Sequence, residues 1–282
     1  MWLARSMDVG HFTPVEETAL LTEYARALDS RSPRPILGDT LADEVVGRIN
    51  YDFAGLGVIS SVVCLVALRA KMLDERIRAF TTVHPDAVVV DLGAGLNSAV
   101  FRVDPPQTVD WYSVDLPAVI RLRDALLPRR NGSHSVAASV AERDWTDAIP
   151  GDRPTMVVAD GLFPFLTAPV IAAIFRQITH RFESGMVTFN DYGTVGRIKR
   201  FASLLTTRKR MFRILYSQWG FGGFKDAHHP EIWNPDLKLV EEVSALHEPD
   251  VALFPPVLRF GSRIAARFPA SARNTRILRY QF

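Results

Sequence analysis

At 282 residues, with 48% hydrophobic and 23% charged side chains, the chain can bury a full core as one large domain or two small ones. A formal charge of +2 lacks the basic excess of a nucleic-acid-binding protein, and the apolar run around Cys64 is too short to span a bilayer, so neither partner is expected. Cys64 is the single cysteine, which excludes an intrachain disulfide and a cysteine metal cluster and suits a reducing compartment.

Asp8, His11, Glu16 and Glu17 interrupt the region where a secretory signal would lie, so the expected location is the cytoplasm. Thr13-Pro14 followed by Glu16-Glu17 reads as an N-cap, a proline in the first turn and acidic residues at the positive end of a helix dipole. Leu20, Leu21, Tyr24 and Leu28 give that helix one apolar stripe, and Pro33 and Pro35 end it. Asp39 caps a second helix through Ile49, and a third is predicted from Val58 to Phe80. Within it Cys64 reads as a small core residue rather than a nucleophile. Residues 1–82 thus form a helical cap in front of a sheet.

From Ala87 short apolar runs alternate with helix-like segments, the pattern of a mostly parallel sheet covered on both faces. Strands are predicted at 87–91, 109–114, 134–138, 154–160 and 184–190, within a core of residues 83–191. Residues 192–235, with the aromatic and glycine-rich stretch Gln218 to Phe224, read as an inserted lid. In 236–282 the segments 237–243 and 275–282 are strand-like and predict a terminal antiparallel pair, with a helix between them. No linker or repeat divides the chain, so a single α/β domain over 1–282 is expected.

The first strand runs straight into Asp91-Leu92-Gly93-Ala94-Gly95-Leu96-Asn97-Ser98. Glycines at 93 and 95 let the chain turn sharply and let a ligand lie on bare backbone. A third glycine two residues on is missing, as is a Gly-Lys-Ser/Thr, which favours a ligand without phosphates. Taken alone, the segment fits a cofactor loop and an ordinary strand-to-helix turn equally. Asp115 ends the next strand in Val114-Asp115-Leu116-Pro117, where its carboxylate can accept ribose hydroxyls or cap the following helix.

With Ala138-Ser139-Val140 and Asp160-Gly161-Leu162-Phe163-Pro164-Phe165-Leu166 closing the later strands, the sequence resembles the leucine carboxyl methyltransferase family, in its bacterial branch of polyketide-type O-methyltransferases. The likeness reaches the N-terminal helices around Glu17-Thr18-Ala19 and Tyr24 to Ala27, and the closing strand Arg276 to Phe282. It implies a class I, Rossmann-like methyltransferase fold with S-adenosylmethionine as cofactor and S-adenosylhomocysteine as product. It also implies that Arg26 and Arg69 hold the cofactor's carboxylate, and that Gly93, Ala94 and Gly95 face its methionine part. Asp115 and Leu116 would meet the ribose and adenine edge, Ser139 and Val140 the adenine, and Asp160 the amino group. The chain departs from the family in having Asn97-Ser98-Ala99 for Asp-Thr-Arg, Asp160 for glutamate and Phe165 for tyrosine.

Methyl transfer from a sulfonium mainly requires an oriented acceptor and a dry site. A carboxylate acceptor needs no general base, whereas a hydroxyl of high pKa benefits from one. Candidates for such a base are Asp191 and Tyr192 after the fifth strand and His228 and His229 at the end of the lid, with His11 a further one. Phe163, Phe165, Trp219, Phe221, Phe224 and Trp233 could enclose a flat, aromatic or polyketide-like small molecule. The expectation is an O-methyltransferase of secondary metabolism, using no metal; the alternative is a catalytically silent protein that keeps the fold for binding or assembly. A homodimer is the partner state considered, and the sequence does not fix the oligomeric state.

Overall fold

The protein is described by a computed structural model covering residues 7–10, 12–142, 144–193 and 210–282. Helix α1 (Pro14–Ser30) starts where its cap predicts. Thr13 Oγ1 accepts from the Glu16 N–H, and the Glu16 carboxylate accepts from the Thr13 N–H at 2.7 Å, so two otherwise orphaned donors are satisfied reciprocally. Asp39 caps α2 (Thr40–Gly47) by accepting from Ala42 N–H. This helix is shorter than expected because Ile49–Asn50 leaves it as β2, which pairs in parallel with β1 (Met7–Asp8). Helix α3 runs over Ser60–Val83, three residues past its expected end, and carries Cys64 into the core. Burial there pushes the Cys64 thiol up to about 11, as fits a packing residue and not a nucleophile.

The main sheet has seven strands: β3 (Val88–Leu92), β4 (Asp110–Asp115), β5 (Ser133–Ala137), β6 (Thr155–Ala159), β7 (Gly185–Asp191), β8 (Lys238–Ser244) and β9 (Arg276–Gln281). Their spatial order is β5-β4-β3-β6-β7-β9-β8. The first five pair in parallel, and β9 lies antiparallel between β7 and β8. Every parallel strand starts within one residue of its expected position; for β3 and β6 the reason is a run rich in β-branched residues and buried on both faces, which has few other ways to satisfy its backbone. Val88 to Leu92 and Thr155 to Ala159 are buried throughout, and each such aliphatic side chain contributes roughly 1.5–3 kcal/mol relative to exposure.

One face of the sheet packs on α6 (Ala168–Arg181) through Ile171, Ile174, Phe175 and Ile178. The other face packs on α3 and α4 (Ala99–Val103) through Leu68, Met72, Ile77, Val100 and Val103. A third cluster joins α1 and α2 to Leu96, to Leu122 and Leu126 of α5 (Pro117–Leu126), and to Met211 and Ile214 of α7 (Arg210–Ser217). The expected lid is represented by α7, an irregular stretch and α8 (His229–Trp233); its residues 194–209 lie outside the described residues. Helices α9 (Pro256–Ala265) and α10 (Pro269–Ala272) connect β8 to β9. Among the described residues no helix is long and apolar enough to cross a membrane.

Strand order reverses between β4-β3 and β6, and such a reversal opens a crevice beyond the carboxyl ends of the strands. The cap helices cover that end.

Candidate active site

A cavity of about 450 Å³ lies there, within the usual size range of small-ligand sites. Arg26, Arg69, Gly93, Ala94, Gly95, Asp115, Leu116, Ser139, Val140 and Asp160 all line it. Positions spread over 135 residues of sequence thus meet because each parallel strand delivers its loop to the same edge, while α1 and α3 bring in the arginines. Gly93 and Gly95 have φ of +66° and +53°, a backbone state that L side chains rarely adopt. A Cβ on Gly93 would also meet Leu162 at 3.0 Å.

The polar end of the cavity is held by buried ion pairs. Arg69 donates from Nε to Asp160 and from Nη1 to the Tyr192 hydroxyl, and Arg26 donates to Glu23 one turn back on α1. Burial works against the charge of Arg69, but Asp160 and Tyr192 hold it protonated. Asp115 accepts from the N–H groups of Gly95 and Leu116, both at 2.7 Å. A carboxylate has about four acceptor sites, so two remain for ribose hydroxyls. The helix-capping role is not realised: Leu116 is the N-cap of α5, and no side chain accepts from the helix's first-turn N–H groups.

Asp91, at the end of β3, is fully enclosed and its Oδ2 has no hydrogen-bond partner. Burial, opposed by Arg123 and reinforced by Asp160 and Asp115, pushes its carboxyl up to about 7. Its folded pKa thus exceeds an unfolded value of about 3.9, the native state holds the extra proton, and stability falls as pH rises from about 4 to about 7. Asp91→Asn is expected to raise Tm by several degrees at about pH 8 and hardly at all at about pH 4. Equal unfolding temperatures of variant and wild type at both pH values would contradict this.

The candidate bases fare differently. Tyr192 lines the cavity, but burial, opposed by the Arg69 charge, pushes its phenol up, so it is a donor or orienting group before it is a base. Asp191 does not line the cavity. It is buried in an ion pair with Arg276, at 2.9 Å, and accepts from Phe224 N–H and Gly193 N–H. Expected just after the fifth strand, it is the last residue of β7, where its side chain meets that of its antiparallel register partner Arg276. His228 is exposed, pairs with Glu231 at 2.8 Å and is also remote from the lining, while His229 packs on Trp233. His11 lies outside the described residues.

The aromatic set divides as well. Phe165 and Trp219 line the cavity, whereas Phe163 and Phe224 are core and Phe221 and Trp233 pack against it. Sequence reasoning missed Leu215 and Tyr216 of α7, and Asn274 and Thr275 before β9. Tyr216 stacks on Trp219 with ring centroids 5.5 Å apart, and an aromatic three residues before Trp219 was a readable signal. Asn274 and Thr275 carried none, since only the antiparallel insertion of β9 brings the residues just before it to this edge.

Three carboxylates, two arginines and a bare glycine backbone around one cavity fit a zwitterionic amino acid joined to a nucleoside. The leucine carboxyl methyltransferase family matches residues 19–179. The tetracenomycin polyketide synthesis O-methyltransferase TcmP of Streptomyces glaucescens is 38% identical, with 96% of this chain and 97% of that protein covered. The S-adenosyl-L-methionine-dependent methyltransferase dpfgK of Gibberella zeae is 30% identical over 84% of each chain. Among solved structures, a putative methyltransferase from Thermobifida fusca superposes with a TM-score of 0.55 at 17% identity, covering 91% of this chain and 93% of that one. The fold, the profile match and the full-length likeness agree: this chain belongs to the leucine carboxyl methyltransferase family and is a class I, S-adenosylmethionine-dependent methyltransferase.

Proposed function

We propose that the chain moves the methyl group of S-adenosylmethionine to an oxygen of a flat, largely apolar small molecule of secondary metabolism, and that this oxygen belongs to a carboxylate. The observation that carries the reading is the division of the cavity into a charged end and an aromatic end. Arg26, Gly93 to Gly95, Asp115 and Asp160 form the first and would hold the cofactor; Phe165, Leu166, Leu215, Tyr216 and Trp219 form the second. When bound, the cofactor supplies the electrophilic methyl group. The protein's part is to orient the acceptor beside it and to exclude water, which the aromatic end does by enclosing a planar molecule on its faces.

The choice of carboxylate follows from the groups at hand. Among the described residues, no histidine lines the cavity, and each lining carboxylate is engaged: Glu16 in its capping box, Asp115 with two backbone N–H groups, Asp160 with Arg69. An acceptor that is already an anion near neutral pH requires no proton removal. The name of the Streptomyces glaucescens relative, an O-methyltransferase of polyketide synthesis, supports transfer to an oxygen of a polyketide-like small molecule.

Calorimetry with S-adenosylhomocysteine, followed by methyl transfer to paired aromatic carboxylic acids and phenols at several pH values, tests the reading. The acids are expected to be esterified at a rate nearly flat from about pH 6 to about pH 9. Transfer confined to phenols and rising with pH would reject the carboxylate, and no cofactor binding would favour a silent binding protein. Trp219→Ala is expected to raise KM for an aromatic acceptor about tenfold, through the lost stacking and burial, and to leave the S-adenosylhomocysteine Kd unchanged. A shift confined to the cofactor Kd would move Trp219 to the other end of the cavity.

A further inference from the structure

Asn97-Ser98-Ala99 lacks the charges usual after the family's glycine loop, yet the structure has a cation at that spot. Arg102, one turn further along α4, is nearly buried and has all five guanidinium N–H donors engaged. Nε and Nη2 form a fork on Asp74 of α3, at 2.7 and 3.0 Å. Nη1 donates to Asp39 at the start of α2 and to Ser98 Oγ, at 2.7 and 2.9 Å. Nη2 also reaches Asn97 Oδ1 at 2.9 Å. Asp39 in turn lies 3.8 Å from Arg26, and both Arg26 and Asn97 line the cavity. One guanidinium therefore joins two cap helices and the glycine loop, and it touches the cavity only through other residues.

We propose that Arg102 is the positioning residue for the amino-acid end of the cofactor site, setting Asn97 directly and Arg26 through Asp39. This rests on the assignment of that end of the cavity to the cofactor. A planar fork with five fixed donors can meet four acceptors from three directions, which a lysine ammonium with three donors cannot. Asn97 keeps the acceptor oxygen that the family's aspartate would offer, so the bridge to Arg102 persists without the charge.

The test is a cycle of Arg102→Lys, Asn97→Ala and the double variant, with S-adenosylhomocysteine Kd read by calorimetry and kcat read at saturating cofactor. Each single change is expected to raise Kd about tenfold, the scale of one hydrogen bond to a charged group, with kcat little changed. The double variant is expected to be no weaker than the worse single one, because both changes remove the same bridge. A general structural role would instead lower Tm and the active fraction while leaving Kd alone, and that pattern overturns the proposal. So does a wild-type Kd in both single variants, or strict additivity in the cycle. A wild-type chain that binds no S-adenosylhomocysteine fails earlier and removes the cofactor assignment along with this inference.

Discussion

Arg69→Met is expected to weaken S-adenosylhomocysteine binding at least about 100-fold and to destabilise the protein by about 3–5 kcal/mol. Both effects come from one geometry. Arg69 reaches from α3 across the cavity to Asp160 after β6 and to Tyr192 after β7, and both members of the ion pair are more than nine-tenths buried. Removing the guanidinium leaves Asp160 as an uncompensated buried charge, and it also deletes a cation from the place assigned to the cofactor's carboxylate. The two losses separate in the double variant Arg69→Met with Asp160→Leu, since an apolar pair of similar volume no longer buries a charge. That protein is expected to recover most of its stability in urea unfolding and none of its cofactor binding. A wild-type Kd in Arg69→Met would take Arg69 out of the site.

How much of this was legible in the chain depended on whether the signal was local. Thr13 with Glu16, the runs Val88 to Leu92 and Thr155 to Ala159, and Gly93 with Gly95 declare their backbone state within a few residues, and each element forms where expected. The convergence of Gly95, Asp115, Ser139 and Asp160 was also readable, because parallel strands put every loop at one edge. What failed was side-chain direction at the far end of the sheet. Asp191 and Tyr192 are neighbours on the chain, yet one faces Arg276 and the other Arg69, and a shift of one residue in register would exchange them. Sequence proximity also grouped Phe221 and Phe224 with Trp219, whereas Phe224 lies in the core and Phe221 packs against it. Asn274 and Thr275 depended on a strand inserted from the end of the chain, a non-local event with no mark in their own residues.

Asp191 gives the sharpest separation between a structural and a catalytic carboxylate. Arg276, 1% exposed at its side chain, donates to Asp191, to Glu242 of β8 and to the Phe224 carbonyl, so it ties two strands and the segment around Phe224 to its own strand β9. Arg276→Met is expected to cost about 3–5 kcal/mol, because Asp191 stays buried without its partner. Burial, offset by Arg276 and by backbone donors, already raises the Asp191 pKa, and losing the arginine raises it further. The sign of the pH effect follows. A raised folded pKa means that the native state holds the proton, so the destabilisation in Arg276→Met is smallest at low pH and grows as pH rises through the folded pKa. Asp191→Asn removes that growth, and its single amide oxygen keeps an acceptor for one of the two N–H groups, of Phe224 and Gly193, that the carboxylate serves. If Asp191 were the general base, Asp191→Asn would instead cut kcat by about 10²–10⁴ and flatten the acid limb of the rate profile. The ion-pair geometry predicts kcat within about threefold of wild type for the folded fraction, a profile of unchanged shape, and a loss visible mainly in unfolding.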